Sequence, residues 1–182
     1  MRNKTLSERY VRFMSRFAPL GSLAIRPAVS HDADAIARLF LESASYHADL
    51  DPERYAVPAS LDVSARYREG RQHQSDVVAE ATTLVAELQG ELVAFVDVRL
   101  EKSHDPMHRD ITYCHVSEIA VSRDHQGRGI GEQLLRAAEE WGRSQRATFA
   151  SLEYHVANER AGAFYQARMG YSVAATILIK RL

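Results

Sequence analysis

A chain of 182 residues with 46% hydrophobic and 26% charged side chains has the make-up of one ordinary globular domain, large enough to bury a sizeable core. Its 23 basic and 24 acidic residues leave a formal charge of -1, so no overall field draws DNA or an anionic membrane, and neither is an expected partner. One cysteine, Cys114, excludes an internal disulfide and a thiolate-rich zinc site and fits a reducing cytoplasm, while no apolar run approaches the roughly 18 residues of a membrane span.

Residues 1–22 are expected to form an extension ahead of a domain spanning 23–182. Leu6, Tyr10, Phe13, Met14 and Phe17 share one helical face, with Arg2, Lys4, Arg9, Arg12 and Arg16 around them. Such a helix is expected to pack on the domain or on a second subunit rather than on a membrane, and it lacks the apolar segment of a secretory signal. Leu23–Arg26 is the first predicted strand. Ser30 then suits the N-cap of a helix carrying Ile36, Leu39 and Phe40, with Asp32 and Asp34 at its positive end. Tyr46–Ser60, with Pro52 and Pro58 and few periodic apolar positions, reads as a surface loop, and Asp62–Gln72 as a second helix. Strands Thr83–Leu88 and Glu91–Leu100 meet at Gln89-Gly90 in a tight hairpin. In the polar loop Ser103–Asp110, His104 and His108 flank Pro106 without a third ligand, so no metal is expected there. A long strand, Ile111–Val121, follows. After it come a helix through Leu134, Leu135, Ala138 and Trp141, a fifth strand Thr148–His155, a helix Asn158–Arg168 and a closing strand Tyr171–Lys180.

Between the long strand and the helix that opens within Gly129–Glu132 lies His125-Gln126-Gly127-Arg128-Gly129-Ile130-Gly131. Alternating glycines let backbone approach a ligand and accept positive φ, and the first amides of the helix face whatever the loop holds. The helix dipole adds positive potential there, and Arg128 adds a charge, so phosphate is the expected ligand. A Walker loop would need Gly-Lys-Ser/Thr, and a dinucleotide fingerprint would need glycine where Glu132 stands. Both nucleotide readings therefore fail. Downstream lies a second cluster, Asn158, Ala161, Phe164, Tyr165 and Gly170-Tyr171.

Together these segments resemble the GCN5-related N-acetyltransferase (GNAT) superfamily, whose Gln/Arg-x-x-Gly-x-Gly/Ala loop holds the pyrophosphate of acetyl-CoA. The resemblance covers roughly Leu23 to Leu182. It implies a single α/β (α+β) domain with a mixed, mostly antiparallel sheet of about six to seven strands, splayed between strands 4 and 5 and flanked by about four helices. It also implies acetyl-CoA as cosubstrate, without a metal. Gln126, Gly127, Arg128, Gly129, Ile130 and Gly131 would hold the pyrophosphate. Ile119, Ala120 and Val121 would pair through their backbone with the pantetheine arm, using amides and carbonyls freed where the strands part. Asn158 would touch the same arm, although capping its helix explains it equally well. The loops 46–60 and 103–110 would shape the acceptor pocket, with Tyr46, His47, Asp49 and Asp51 either contacting substrate or lying solvated. Dimerisation is common among the resembling proteins, so a homodimer is an expectation that no readable motif encodes.

Acyl transfer sets its own requirements. Deprotonating a primary amine of pKa near 10.4 at pH 7 costs about 4.6 kcal/mol, so a group must take that proton. A donor must also meet the departing thiolate, and N–H groups must meet the oxyanion. By resemblance, Tyr165 is the acid near the thioester sulfur. Three residues compete as base. Glu118 is acidic where related enzymes often are; Glu153 matches a proposed base of ribosomal-protein N-terminal acetyltransferases; His115 shares the long strand. In a regular pleat His115, Ser117 and Ile119 share one face and Glu118 the other, unless a bulge reverses the parity. Polyamine-type relatives carry a glutamate where this chain has Ser117, which argues against their mechanism. Cys114 has no sequence-near partner to lower its pKa, so no acyl-enzyme is expected. The expected activity is acetyl transfer to a primary amine of a small molecule, protein or peptide by direct attack in a ternary complex. The alternative is a catalytically silent acyl-CoA-binding regulatory module.

Overall fold

The computed structural model describes residues 23–70, 80–103, 107 and 109–181. The proposed extension 1–22, His104, His108 and the end of the second predicted helix lie outside the described residues. Five strands form one sheet in the order β1-β2-β3-β4-β5: β1 Leu23–Pro27, β2 Ala81–Leu88, β3 Glu91–Lys102, β4 Thr112–Val121 and β5 Phe149–Leu152. All neighbours are antiparallel except β4 and β5, which run parallel. The β2–β3 turn consists of Gln89 (φ 54) and Gly90 (φ 84), the pair of positive φ values that a two-residue hairpin of the right twist requires.

Helices cover both faces of the sheet. α1 (Ala33–Leu50) and α2 (Ser60–Arg68) bury Ile36, Leu39, Val63 and Tyr67 against Val85, Phe95 and Ala120. α3 (Ile130–Ser144) buries Leu134, Leu135, Ala138 and Trp141 against Leu84, Val96, Val98 and Val116 on the other face. That double cover explains why β3 is apolar from Leu92 to Val98 with one interruption, Asp97. α4 (Glu159–Ala163) continues as a π-helical turn, Phe164–Arg168. At Gly142 on α3, a Cβ would meet Cys114 Cβ at 2.4 Å, so glycine is what lets this helix lie down on β4.

Several expectations need correction. The described sheet has five strands, not six or seven, because residues 172–180 form no strand, with Val173, Ile177, Leu178 and Ile179 exposed. Their β-branched composition describes a fit to a half-buried pleated surface, but composition alone does not supply a pairing partner. α1 runs on through Tyr46 to Leu50, so only the stretch from Asp51 onward is loop. The stop is Pro52, which disfavours helical geometry in the residue before it. Ser30 is no cap either: it belongs to a short 3-10 turn, and Asp32 accepts the Val29 amide at 2.8 Å. Arg26 grips Asp32 in a two-bond fork (2.7 and 2.9 Å) and holds that carboxyl below its ordinary range. No helix among the described residues is long and apolar enough to cross a membrane.

Candidate active site

β4 and β5 pair only from Tyr113↔Phe149 to Val116↔Leu152. Beyond that point the Ser117–Val121 edge of β4 has no strand beside it among the described residues, and a cleft of about 2290 Å³ opens there. At the end of that edge, a 3-10 turn (Arg123–His125) leads into the glycine loop. Gly127 (φ 76) and Gly129 (φ 77) are both left-handed, and nothing lies within 4 Å of where their Cβ atoms would stand. Gly129 is the N-cap of α3, and the first helical bond runs from the Gln133 amide to the Gly129 carbonyl at 3.2 Å. The amides of Ile130, Gly131 and Glu132 thus have no acceptor within the helix.

The side chains around the loop keep it in place. Gln126 Nε2 donates to the Val121 carbonyl at 3.0 Å, and Arg160 from α4 donates to Gln126 Oε1 at 2.8 Å. Gln126, Gly127, Gly129, Ile130 and Gly131 line the cleft together with Arg123, Arg160 and Arg168. Arg128 is exposed and outside the lining. Glu132 is turned toward Arg168 (2.7 Å) and Arg136 (3.1 Å), which hold its carboxyl below the ordinary range and offset its charge beside the open amides.

On β4 the pleat is broken. Asp97 pairs with Glu118 and Val98 with Val116, so Ser117 is an extra residue, a β-bulge whose hydroxyl accepts a bond from Arg99. Val116 faces α3 with Val98, while Glu118 and Ala120 face α1 and α2 with Asp97 and Phe95. The bulge therefore reverses the regular parity and brings His115 and Glu118 to one face. Glu118 is half-buried, and its Oε1 accepts the Ser43 hydroxyl of α1 at 3.0 Å. Burial, with Asp97 adding to it, pushes its carboxyl up to about 7. His115 meets the Ser151 hydroxyl at 3.1 Å and Glu101 at 3.7 Å, and burial pushes its imidazole below the ordinary value. Glu153 is exposed on the cleft wall.

Tyr165 stands on the π-helical turn, 8% exposed, among the rings of Phe164, Tyr154 and Tyr171. Burial and the nearby Glu118 push its phenol up to about 12, and its hydroxyl makes no hydrogen bond among the described residues. Asn158 caps α4 by accepting the Ala161 amide (3.1 Å) and also accepts the Tyr46 hydroxyl (3.4 Å), which joins the end of α1 to the far wall. Around that end the Tyr55 ring lies tilted against His47 and T-shaped against His155, with Arg54 against His155 at 2.6 Å; Asp49 stays outside the lining. Cys114 is in the core, donating weakly to the Ala138 carbonyl (3.5 Å), and burial pushes its thiol up to about 12. No cluster of three or more His, Cys, Asp or Glu residues among the described residues is arranged to hold a metal ion.

Sequence reasoning missed Ser43, Tyr67 and Asp97. Asp97 carried a signal, being a carboxylate inside an otherwise apolar strand. Ser43 and Tyr67 carried none, since only the packing of α1 and α2 on the sheet brings them to β4.

A profile of the acetyltransferase (GNAT) family matches residues 44–171, more than half of the chain. The chain belongs to the GNAT family. A search of curated protein sequences gave no match. Solved structures share this GNAT fold at low identity. The tetramutant of the BH1408 protein from Bacillus halodurans superposes with a TM-score of 0.76 at 21% identity, covering 87% of this chain and 99% of that one. The aminoglycoside N-acetyltransferase AAC(6')-Iy in complex with CoA gives 0.65 at 17% identity, over 91% and 99%. Ribosomal-protein-alanine N-acetyltransferase from Brucella melitensis biovar Abortus 2308 gives 0.61 at 19%, over 88% and 100%.

Proposed function

We propose that this GNAT protein is an acetyl-CoA-dependent N-acetyltransferase that passes the acetyl group to a primary amine of a small molecule or peptide by direct attack, with both substrates bound. The observation that carries this reading is that two open backbone surfaces line one cleft, the strand-free Ser117–Val121 edge of β4 and the Ile130–Glu132 amides at the start of α3. Backbone groups on such an edge need partners, and the amides of an extended pantetheine arm match them. Left-handed glycines without a Cβ leave room for a diphosphate to approach the Ile130–Glu132 amides. Acetyl-CoA, when bound, supplies the activated thioester.

Glu118 is the proton acceptor in this reading. A carboxyl near 7 is about half ionised at neutral pH and holds a proton more firmly than an ordinary carboxylate, so it draws one from the amine directly or through water. His115 is engaged by Ser151 and Glu101, and Glu153 is open to water, which suits both to lining the acceptor path. Tyr165, fully protonated at pH 7, faces the departing sulfur. Its pKa of about 12 exceeds the roughly 8.5 of a thiol, so its part is to donate a hydrogen bond rather than to surrender its proton completely. The raised pKa of Cys114 supports direct attack over an acyl-enzyme. The test is release of free CoA thiol from acetyl-CoA with a panel of primary amines. Turnover with at least one amine is expected. Tight acetyl-CoA binding without turnover on any amine, unchanged by Tyr165→Phe, would replace this reading with the silent binding module.

A further inference from the structure

Asp97 is the most deeply buried carboxylate among the described residues, 2% exposed, and it is directly opposite Glu118 across the β3–β4 bulge. Opposed residues on one face of a sheet have Cβ atoms about 4.5–5.5 Å apart, so two carboxyl groups share one poorly solvated spot. They are unequally served. Asp97 accepts the Tyr67 hydroxyl on one oxygen and the Thr83 hydroxyl on the other, each at 2.6 Å. Among the described residues, Glu118 accepts the Ser43 hydroxyl alone. Arg66 on α2 acts on both carboxyls, and Tyr67 and Tyr165 are the other titratable groups turned toward Glu118.

Resting on the reading of Glu118 as proton acceptor, we infer that Asp97 is a positioning residue that holds the negative charge of this pair, making Glu118 the member that takes up and releases the proton. Hydrogen bonds to an ionised carboxylate favour that form, and two hydroxyls outweigh one. Two carboxylates this close do not both ionise freely, so the less supported one keeps the proton to higher pH. During transfer the amine proton passes to the Glu118 carboxylate and from there to water, while Asp97 stays ionised throughout. Burial pushes both groups upward, and the unequal hydrogen bonding divides them.

The experiment is a carboxyl-carbon NMR titration of Glu118 in the full chain, compared between the natural protein, Asp97→Asn and Tyr67→Phe. Removing the opposed charge in Asp97→Asn should lower the Glu118 midpoint by about one pH unit or more. Tyr67→Phe strips one donor from Asp97, shifts proton occupancy toward it and should lower the Glu118 midpoint less, in the same direction. An Asp97 that served structure alone would leave the midpoint in place. An unmoved midpoint in folded Asp97→Asn, or in Tyr67→Phe should Asp97→Asn fail to fold, overturns the inference. Turnover of Glu118→Gln on the amine found by the panel separates the two readings. Full activity there removes Glu118 as proton acceptor and this inference with it, whereas lost activity with an unmoved midpoint removes the role of Asp97 alone.

Discussion

Replacing Gly129 separates the electrostatics of the glycine loop from its shape. The residue has φ 77 and caps α3, and its missing Cβ points into open space. Asparagine and aspartate enter the left-handed region more readily than other residues with a Cβ, and they are nearly the same size, so backbone strain cancels between Gly129→Asn and Gly129→Asp. What remains is one negative charge aimed at the proposed diphosphate site. At about 5 Å, two unit charges repel by about 0.8 kcal/mol in water and about 3 kcal/mol at the effective dielectric of a protein surface. The aspartate variant should therefore bind acetyl-CoA about 4-fold to 150-fold more weakly than the asparagine variant. Calorimetric titration with acetyl-CoA measures the difference, and raising the salt concentration should narrow it. Equal affinities for the two variants at low salt would show that no phosphate sits against this turn.

Tyr165→Phe should lower turnover while leaving acetyl-CoA affinity nearly unchanged, because the ring packing survives and only the hydroxyl is lost; steady-state kinetics beside calorimetry checks this, and an unchanged rate removes Tyr165 from the chemistry. Gly142→Ala gains up to about 1 kcal/mol of helix propensity but drives a methyl to 2.4 Å from Cys114 Cβ. Rotating the thiol cannot relieve that contact, so α3 must shift on the sheet. A net loss of about 1–3 kcal/mol in urea unfolding is expected, and no loss would mean the helix has slack there.

Features whose cause is local could be read from the chain. Gln89-Gly90 forms a hairpin because two adjacent residues must take positive φ, and Gly127 and Gly129 shape the loop for the same reason. α3 follows from the spacing of Leu134, Leu135, Ala138 and Trp141, which seals one side of the sheet. Features settled by pairing were not legible. Whether Ser117 occupies a regular position or a bulge depends on how β3 aligns with β4, and that alignment decides on which face His115 lies relative to Glu118. The pairing partner of residues 171–180 is likewise a long-range matter. Their composition favours a strand, yet Gly170 (φ 80) turns the chain and Tyr171 is anchored by its hydroxyl to Glu139, after which the segment runs along the cleft without pairing.

The unbroken run of α1 to Leu50 has an evolutionary consequence. A wall made of loop can lengthen or shorten without disturbing its neighbours, but one residue added to a helix turns everything beyond it by about 100°. Ser43, Tyr46 and His47 project from successive turns, and Ser43 also holds Glu118. An insertion upstream would displace the wall and the carboxylate's support in one event. Change along this flank of the cleft is thus expected as exchanges of side chain at fixed length, with insertions and deletions tolerated only in the loop after Pro52.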